Sequence, residues 1–305
     1  MVVYYNMISA RTTNIRLSEV CQITACPMLG NDIYIDGFNL SNRKIEANSV
    51  LSYCTSYKYF KIALTNEKVT ALIVTNELVG QLSDEERSRF SFLVSESPEW
   101  TFYTAFINLY ENRYFPQYDF EIDLKNAIIG TGSVIEKGVI VGDNVKIGCN
   151  SVVCSGTILG DNVTIGNCSV IGGNGFQLIK DNEGRNHAIP HIGRVIIGSG
   201  VYIGDNSTVS RSLFEGFTKI GNYVKIDNHV HIAHNCIVGD NCVLTANCTM
   251  FGSSILESNV WLAPNSAIMN RVKIGSDSFI GASSLVLKNV KSGSRMFGVP
   301  AQKIN

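Results

Sequence analysis

The chain has no excess of charge of either sign, with 25 basic residues against 26 acidic ones in 305. A protein built to bind nucleic acid meets phosphate with a basic excess, so the balance argues against that class. No apolar run approaches the roughly 18 residues that a membrane helix needs, and no membrane span is expected. The stretch Met1 to Leu17 lacks the charged and then apolar blocks of a secretory signal, which makes the cytoplasm the expected location. Histidine is scarce, with five residues. Cysteine is plentiful at nine, yet no Cys-x-x-Cys pair occurs and Cys21/Cys26 has no matching ligand pair. The usual zinc spacings are therefore missing, no metal is expected, and a reducing compartment is implied.

What the chain does have is a period of six. From Ile220 onward an aliphatic residue or methionine stands at every sixth position through Ile226, Ile232, Val238, Leu244, Met250, Leu256, Leu262, Ile268, Ile274 and Ile280 to Val286. Helices need apolar spacings of three and four and strands a spacing of two, so neither fits. A β-helix whose flat sides each take one hexapeptide does fit. The next position is usually small, as at Gly221, Ala233, Gly239 and Gly281. The fourth position after the aliphatic one is small or mid-sized, as at Val224, Cys236, Cys242 and Ser254, which suits a narrow interior.

The same period runs earlier from Ile129 to Ile171 and resumes at Ile197, Ile203 and Val209. Its breaks are one loop at about 172–195 and an apparent one-residue slip between Val209 and Ile220. If three hexads close one triangular coil, residues eighteen apart stack. Cys236, Cys242 and Cys248 then fall on three successive sides as small hydrophobes rather than as a metal cluster.

The first 123 residues lack the period. Short β-rich runs (Asp32–Ile35, Ala71–Val74) alternate with helical stretches expected at Leu17–Ile23, Asp84–Val94 and Trp100–Glu111. Ser83 before Asp84, Glu85 and Glu86 reads as an N-cap with acids in the first turn, where the helix dipole favours them. The expected architecture is mainly β: a small α/β domain over 1–123, a parallel β-helix over 124–287 and a cap over 288–305. Pro116 sits in the expected junction.

Three of the five histidines, His229, His231 and His234, lie in one coil. His234 is two residues past an inward aliphatic and so sits at a corner. Eighteen residues on is Gly252, which has no side chain to fill the slot beside it. A histidine beside an open slot suits a general base, because imidazole titrates near working pH. The plainer alternative is a solvated corner residue, and for His229 and His231 it stands level with a functional role.

Three motifs sharpen this: Gly173-Asn-Gly-Phe176, Ile192-Gly-Arg-Val-Ile-Ile-Gly198 and Val224-Lys-Ile-Asp-Asn-His-Val-His-Ile-Ala-His-Asn235. With them, the chain from Leu17 to about Ile280 resembles the bacterial UDP-3-O-(3-hydroxyacyl)glucosamine N-acyltransferases of lipid A synthesis, a hexapeptide-repeat family. The resemblance implies a left-handed parallel β-helix, a homotrimer with active sites between subunits, and His234 as catalytic base. Asn235 or Asp227 would orient it. Asn174, Phe176, His229, His231 and Asn247 would touch the sugar. Leu51-Ser-Tyr-Cys-Thr-Ser-Tyr-Lys-Tyr59 resembles the family's uridine-binding stretch, which puts Tyr53, Lys58 and Tyr59 at the base. Without the resemblance these tyrosines read as ordinary strand residues.

The departures are specific. Ser56 and Tyr57 replace the family's Asn and Pro, Arg271 replaces a second active-site histidine, and His231 replaces a glutamine. The family's C-terminal helical arm is missing. Gly298-Val-Pro-Ala-Gln-Lys-Ile304 instead resembles the ending of sugar acetyltransferases that use acyl-CoA. Gly252, Arg271, Lys288 and Arg295 are the candidate acyl-donor contacts, the basic ones as partners for phosphate.

The expected reaction is acyl transfer from a thioester, with acyl-CoA favoured over acyl carrier protein, to the amine of a nucleotide-linked amino sugar. No tightly bound cofactor is required. The lipid A N-acyltransferase itself is the main alternative. A zinc enzyme of the γ-carbonic-anhydrase kind, using His191, His229 and His234, and a non-catalytic scaffold are the others.

Overall fold

The computed structural model describes residues 14–43, 45, 47–115 and 117–304. The signal-peptide reading of the first residues and the junction proline Pro116 lie outside the described residues. The chain divides into two compact units, one up to Gln117 plus Gln177–Ile192, the other Tyr118–Phe176 plus Gly193 onward.

The second unit is the hexad-repeat unit, a left-handed parallel β-helix. Its two-residue strands form three parallel ladders among the described residues. The first face runs through Lys146–Ile147, Lys225–Ile226 and Trp261–Leu262. The second runs through Val152–Val153, His231–Ile232 and Ala267–Ile268, and the third through Ile158–Leu159, Ile237–Val238 and Lys273–Ile274. Residues eighteen apart pair along each face, as Val243 with Trp261 and Ile237 with Ile255. The second residue of each strand points inward, and Ile220, Ile232, Leu244 and Met250 are fully buried. Each such side chain contributes roughly 1.5–3 kcal/mol on burial, which the repeat multiplies.

The small column follows from the close stacking of the coils. A Cβ added to Gly239 would lie 2.6 Å from the carbonyl carbon of Glu257 on the next coil. Corner residues such as Asn144, Asn241 and Asn259 sit at φ 57°, 59° and 62°. This left-handed conformation costs most L-residues roughly 1–2 kcal/mol, and asparagine's short amide tolerates it best.

Both breaks lie on one edge, where the chain passes from the second face to the third. Ile158 pairs with Ile196, a register of 38 instead of 18, so twenty residues are inserted there. Ile197 pairs with Ile220, a register of 23 instead of 18. The apparent one-residue slip is therefore an insertion of five residues, carried by the bulge between Thr208–Ser210 and Phe217–Ile220. At the far end Arg295–Phe297 joins the first face, and Gln302–Lys303 folds back antiparallel on it, which blunts the open edge.

The first unit has a five-stranded sheet in the order Met28–Leu29, Ser91–Val94, Val69–Val74, Val50–Tyr53, Gly37–Phe38, parallel except at Met28–Leu29. Its helices are Leu17–Thr24, Tyr57–Leu64, Asn76–Gln81, Asp84–Ser88 and Pro98–Glu111. Ser83 caps as expected: its Oγ accepts the Glu86 amide at 3.3 Å, and Glu86 Oε2 accepts the Ser83 amide at 2.9 Å. The helix expected to reach Val94 stops at Ser88. Ser91–Val94 is a strand between two neighbours, and that pairing overrides the helical start. Tyr57 and Tyr59 lie on a helix, not a strand.

The division falls at 117/118, inside the junction expected over 112–124 and ahead of the domain bound expected at 123, because the Tyr118 carbonyl already accepts from Ser155 Oγ at 2.7 Å and Phe120 from the Gly138 amide at 2.9 Å. Within the 172–195 break, Gln177–Ile192 groups with the first unit as a hairpin, Leu178–Lys180 against Asn186–Ala188.

Cys236, Cys242 and Cys248 point into the prism and are fully buried, while Cys149 and Cys168 are exposed. Burial pushes the Cys236 and Cys242 thiols up to about 11. A thiol reagent should therefore modify Cys149 and Cys168 rapidly in the folded protein, and the three inward thiols only in denaturant, because the thiolate is the reactive form. Peptide mapping after brief labelling checks this; early modification of Cys236, Cys242 or Cys248 would contradict their inward placement.

Candidate active site

His231–Ile232 on the second face leads through Ala233, His234 and Asn235 to Ile237–Val238 on the third. His234 thus occupies the edge that carries both insertions. Asn235 takes the left-handed corner, φ 61°. Its side chain is held on every polar atom. Oδ1 accepts from the Leu213 amide at 3.1 Å and stands 2.9 Å from His234 Nδ1. Nδ2 donates to Ser212 Oγ at 2.5 Å, and the Asn235 backbone N–H donates to Thr218 Oγ1 at 2.8 Å.

A backbone N–H only donates, so the atom facing Leu213 must be the amide oxygen. That oxygen cannot donate to His234, so Nδ1 must carry the proton. The lone pair is then on Nε2. This is the tautomer a general base needs.

The His234 ring lies over Gly252. A Cβ added there would be 2.8 Å from both Cε1 and Nε2. The slot expected to stand open beside the histidine is the space its own ring uses. Among the described residues no hydrogen bond occupies the Gly252 N–H, while the Gly252 carbonyl accepts from the Arg271 amide at 3.1 Å. Arg271 is exposed on the same edge, in the left-handed corner at φ 62°.

The other candidates are divided among the faces and edges of the prism. Asp227 does not orient the imidazole; its carboxylate accepts the Asn228 amide at 2.8 Å, and Asn235 alone fills that part. His229 and Asn247 share the edge between the first and second faces, in left-handed corners at φ 59° and 60°. His231 points outward from the second face, with Nδ1 2.7 Å from Thr208 Oγ1, and burial holds its pKa below the usual histidine value. Asn174 and Phe176 are exposed at the start of the long insertion, Phe176 at 82%. Lys288 and Arg295 are exposed near the C-terminal end. His191 is buried, its Nδ1 3.1 Å from the Ile189 carbonyl. Within the single chain, no group of three His, Cys, Asp or Glu side chains is arranged to hold a metal among the described residues.

In the first unit Tyr53 is turned into its own core. Its ring packs 5.2 Å from Phe102 and its hydroxyl donates to Glu99 at 2.7 Å. Burial, aided by that carboxylate, pushes the phenol far above its ordinary range. Lys58 and Tyr59 are exposed on the following helix. A cavity of about 600 Å³ in this unit lies instead beyond the carboxyl ends of the parallel strands, lined by Thr55, Thr75, Ser97, Glu99, Trp100 and Lys180. Open α/β sheets bind ligands there. Of these, Thr55 alone lies in the stretch picked out by sequence; the rest converge only once the strands are aligned.

Coil and repeat together define a β-helix of the hexapeptide class. The family model "Bacterial transferase hexapeptide (six repeats)" matches residues 138–173 and 217–252. Along most of its length it is similar to the UDP-3-O-acylglucosamine N-acyltransferase of Campylobacter lari, 29% identical over 312 residues, covering 93% of this chain and 92% of that protein. The enzyme of the same name from Coxiella burnetii is 50% identical over 56 residues, a segment that is 18% of this chain and 16% of the relative's length. Two solved structures share the fold. One is LpxA, a UDP-N-acetylglucosamine acyltransferase from Bacteroides fragilis, with TM-score 0.53 and 23% identity over 62% of this chain and 70% of that one. The other is LpxA from Acinetobacter baumannii, with TM-score 0.50 and 27% identity over 60% of this chain and 73% of that one.

Proposed function

We propose that the protein transfers an acyl group from a thioester to the amine of a nucleotide-linked amino sugar. The observation that carries the reading is the locked His234 tautomer, with the lone pair on Nε2 and the ring over Gly252. The sugar amine attacks the thioester carbonyl and Nε2 takes its proton. The tetrahedral oxyanion forms beside Gly252, whose backbone N–H meets no acceptor among the described residues. Collapse expels the thiolate, which recovers the proton from the imidazolium, and leaves an amide. Neither a metal nor a covalent enzyme intermediate enters this sequence.

The similarity to UDP-3-O-acylglucosamine N-acyltransferases supports the reaction type and a UDP-linked acceptor. Acyl-CoA is the favoured donor, with Arg271, Lys288 and Arg295 as exposed cations for its phosphates. Acyl carrier protein is the alternative. The exposed Lys58 and Tyr59 remain the candidate base contacts, while Tyr53 is taken up by Phe102 and Glu99, with Asn174, Phe176, His229, His231 and Asn247 on the sugar side. We place the working assembly as a homotrimer in the cytoplasm; no described helix is long and apolar enough to cross a membrane.

A thiol-release assay tests the reading. Acetyl-CoA, 3-hydroxybutyryl-CoA and a 3-hydroxyacyl carrier protein are offered with UDP- and dTDP-linked amino sugars. Release from a CoA ester with one amino sugar is the expected result. Release from the carrier protein alone would assign the lipid A reaction, and no release from any pair would remove acyl transfer.

A further inference from the structure

The five-residue insertion on the His234 edge is the observation of interest, because its cost to the helix is plain. It is the second break of the repeat on that edge and leaves Ser210, Ser212, Leu213 and Phe214 to be buried off the repeat. Ser212 is fully buried and packs tightly: a Cβ added to Gly193 would lie 2.4 Å from Ser212 Cβ, and the Gly193 amide donates to the Ser212 carbonyl at 3.0 Å. From that fixed position its hydroxyl oxygen takes the Asn235 Nδ2–H, and the next residue's amide takes Asn235 Oδ1.

We infer that Ser212 is a positioning residue: with the Leu213 amide it locks the Asn235 side chain, and through it holds the proton of His234 on Nδ1. The inference rests on the reading of His234 as the base.

The chemistry requires both ends of the amide to be held. Asparagine presents an acceptor and a donor group of nearly the same shape, and a half-turn of the terminal torsion exchanges them. With the amide turned, Nδ2 would face both Leu213 N–H and the imidazole, and His234 would have to carry its proton on Nε2. It would then be useless as a base toward the amine. The Leu213 N–H disfavours that state by setting donor against donor. Ser212 Oγ accepts the Nδ2–H and so holds the plane of the amide, which keeps its other end against the Leu213 N–H, the group that sets the sense. Thr218 contributes by fixing the backbone of the same residue. The insertion thus places two groups, a hydroxyl and a main-chain donor, that no regular hexad presents at this corner. A serine mid-way through a loop without a period has no sequence signature of this role.

The test is spectroscopic and needs no substrate. Full-length protein labelled with ring-¹⁵N histidine is examined by long-range ¹H–¹⁵N correlation at a pH where imidazole is neutral, and His234 is assigned by its loss in His234→Ala. The native protein should show a pyrrole-type Nδ1 and a pyridine-type Nε2. Ser212→Ala should move both nitrogens toward the averaged values of mixed tautomers and lower kcat about tenfold with little change in KM, the pattern of a weakened transition-state interaction. The double variant Ser212→Ala/Asn235→Asp should regain the Nδ1–H signature, because either carboxylate oxygen accepts from both Leu213 and His234.

A native His234 protonated on Nε2 overturns the inference, and so does a Ser212→Ala spectrum identical to the native one in a folded protein. Because the spectrum is read without turnover, a failure of the acyl-transfer reading shows separately, in the thiol-release assay.

Discussion

Replacing His234 with alanine should lower kcat by about 10³-fold, the middle of the range that a positioned general base supplies, with the fold and the assembly unchanged. The expectation follows from the ring's position. Its Nδ1 is engaged by Asn235 and its Nε2 carries the lone pair, with the ring over Gly252. Nothing in the inward column depends on it; Ile232 and Cys236 to either side are fully buried and keep their contacts. Steady-state kinetics beside a thermal melt separates chemistry from stability. Turnover near the native rate would take His234 out of the mechanism, and a collapsed melting transition would make it a structural residue.

The second large effect is expected at Gly252→Ala. The backbone there is not in the left-handed region, so alanine brings no conformational penalty of its own. Its methyl, however, would lie 2.8 Å from Cε1 and Nε2 of His234, well inside contact distance. The ring must tilt while Nδ1 stays tied to Asn235, and Nε2 moves by an appreciable fraction of an ångström. Misplacement of about 1 Å costs on the order of 10²-fold in rate, so kcat should fall by about that much, with a melting temperature close to the native one. Gly80→Ala is the matched control, since nothing lies within 4 Å of a Cβ at that position; it should leave turnover unaltered. Equal rates for Gly252→Ala and the native protein would mean that the ring's seat over Gly252 has no part in catalysis.

The parts of this protein that repeat were legible in the sequence, because repetition converts spacing into position. An aliphatic every sixth residue fixes which side chains turn inward, the eighteen-residue rule fixes which residues stack, and together they placed His234 at a corner above Gly252 before any coordinates. The capping box at Ser83 was legible for a related reason: its two hydrogen bonds span three residues and need nothing distant.

What depends on contacts between distant segments was not legible. The stretch after Asp84 begins as a helix, but Ser91–Val94 became a strand because Val69–Val74 and Met28–Leu29 offer it partners on both sides. A break in period showed that residues were out of step, but five inserted and one removed give the same phase against a period of six. Pairing between Ile197 and Ile220 decided it. Asp227 and Asn235 were equal candidates to orient the base, since both are polar corner residues near it in the chain. They lie on different edges of the prism, and only Asn235 meets Nδ1. The tautomer of His234 depends on Ser212 and Leu213, more than twenty residues earlier on a loop without periodicity. Periodicity therefore determined the scaffold and the location of the histidine. Tertiary structure alone decided which nitrogen of that histidine is basic, because a proton's place on imidazole is set by the donors and acceptors that packing brings to it.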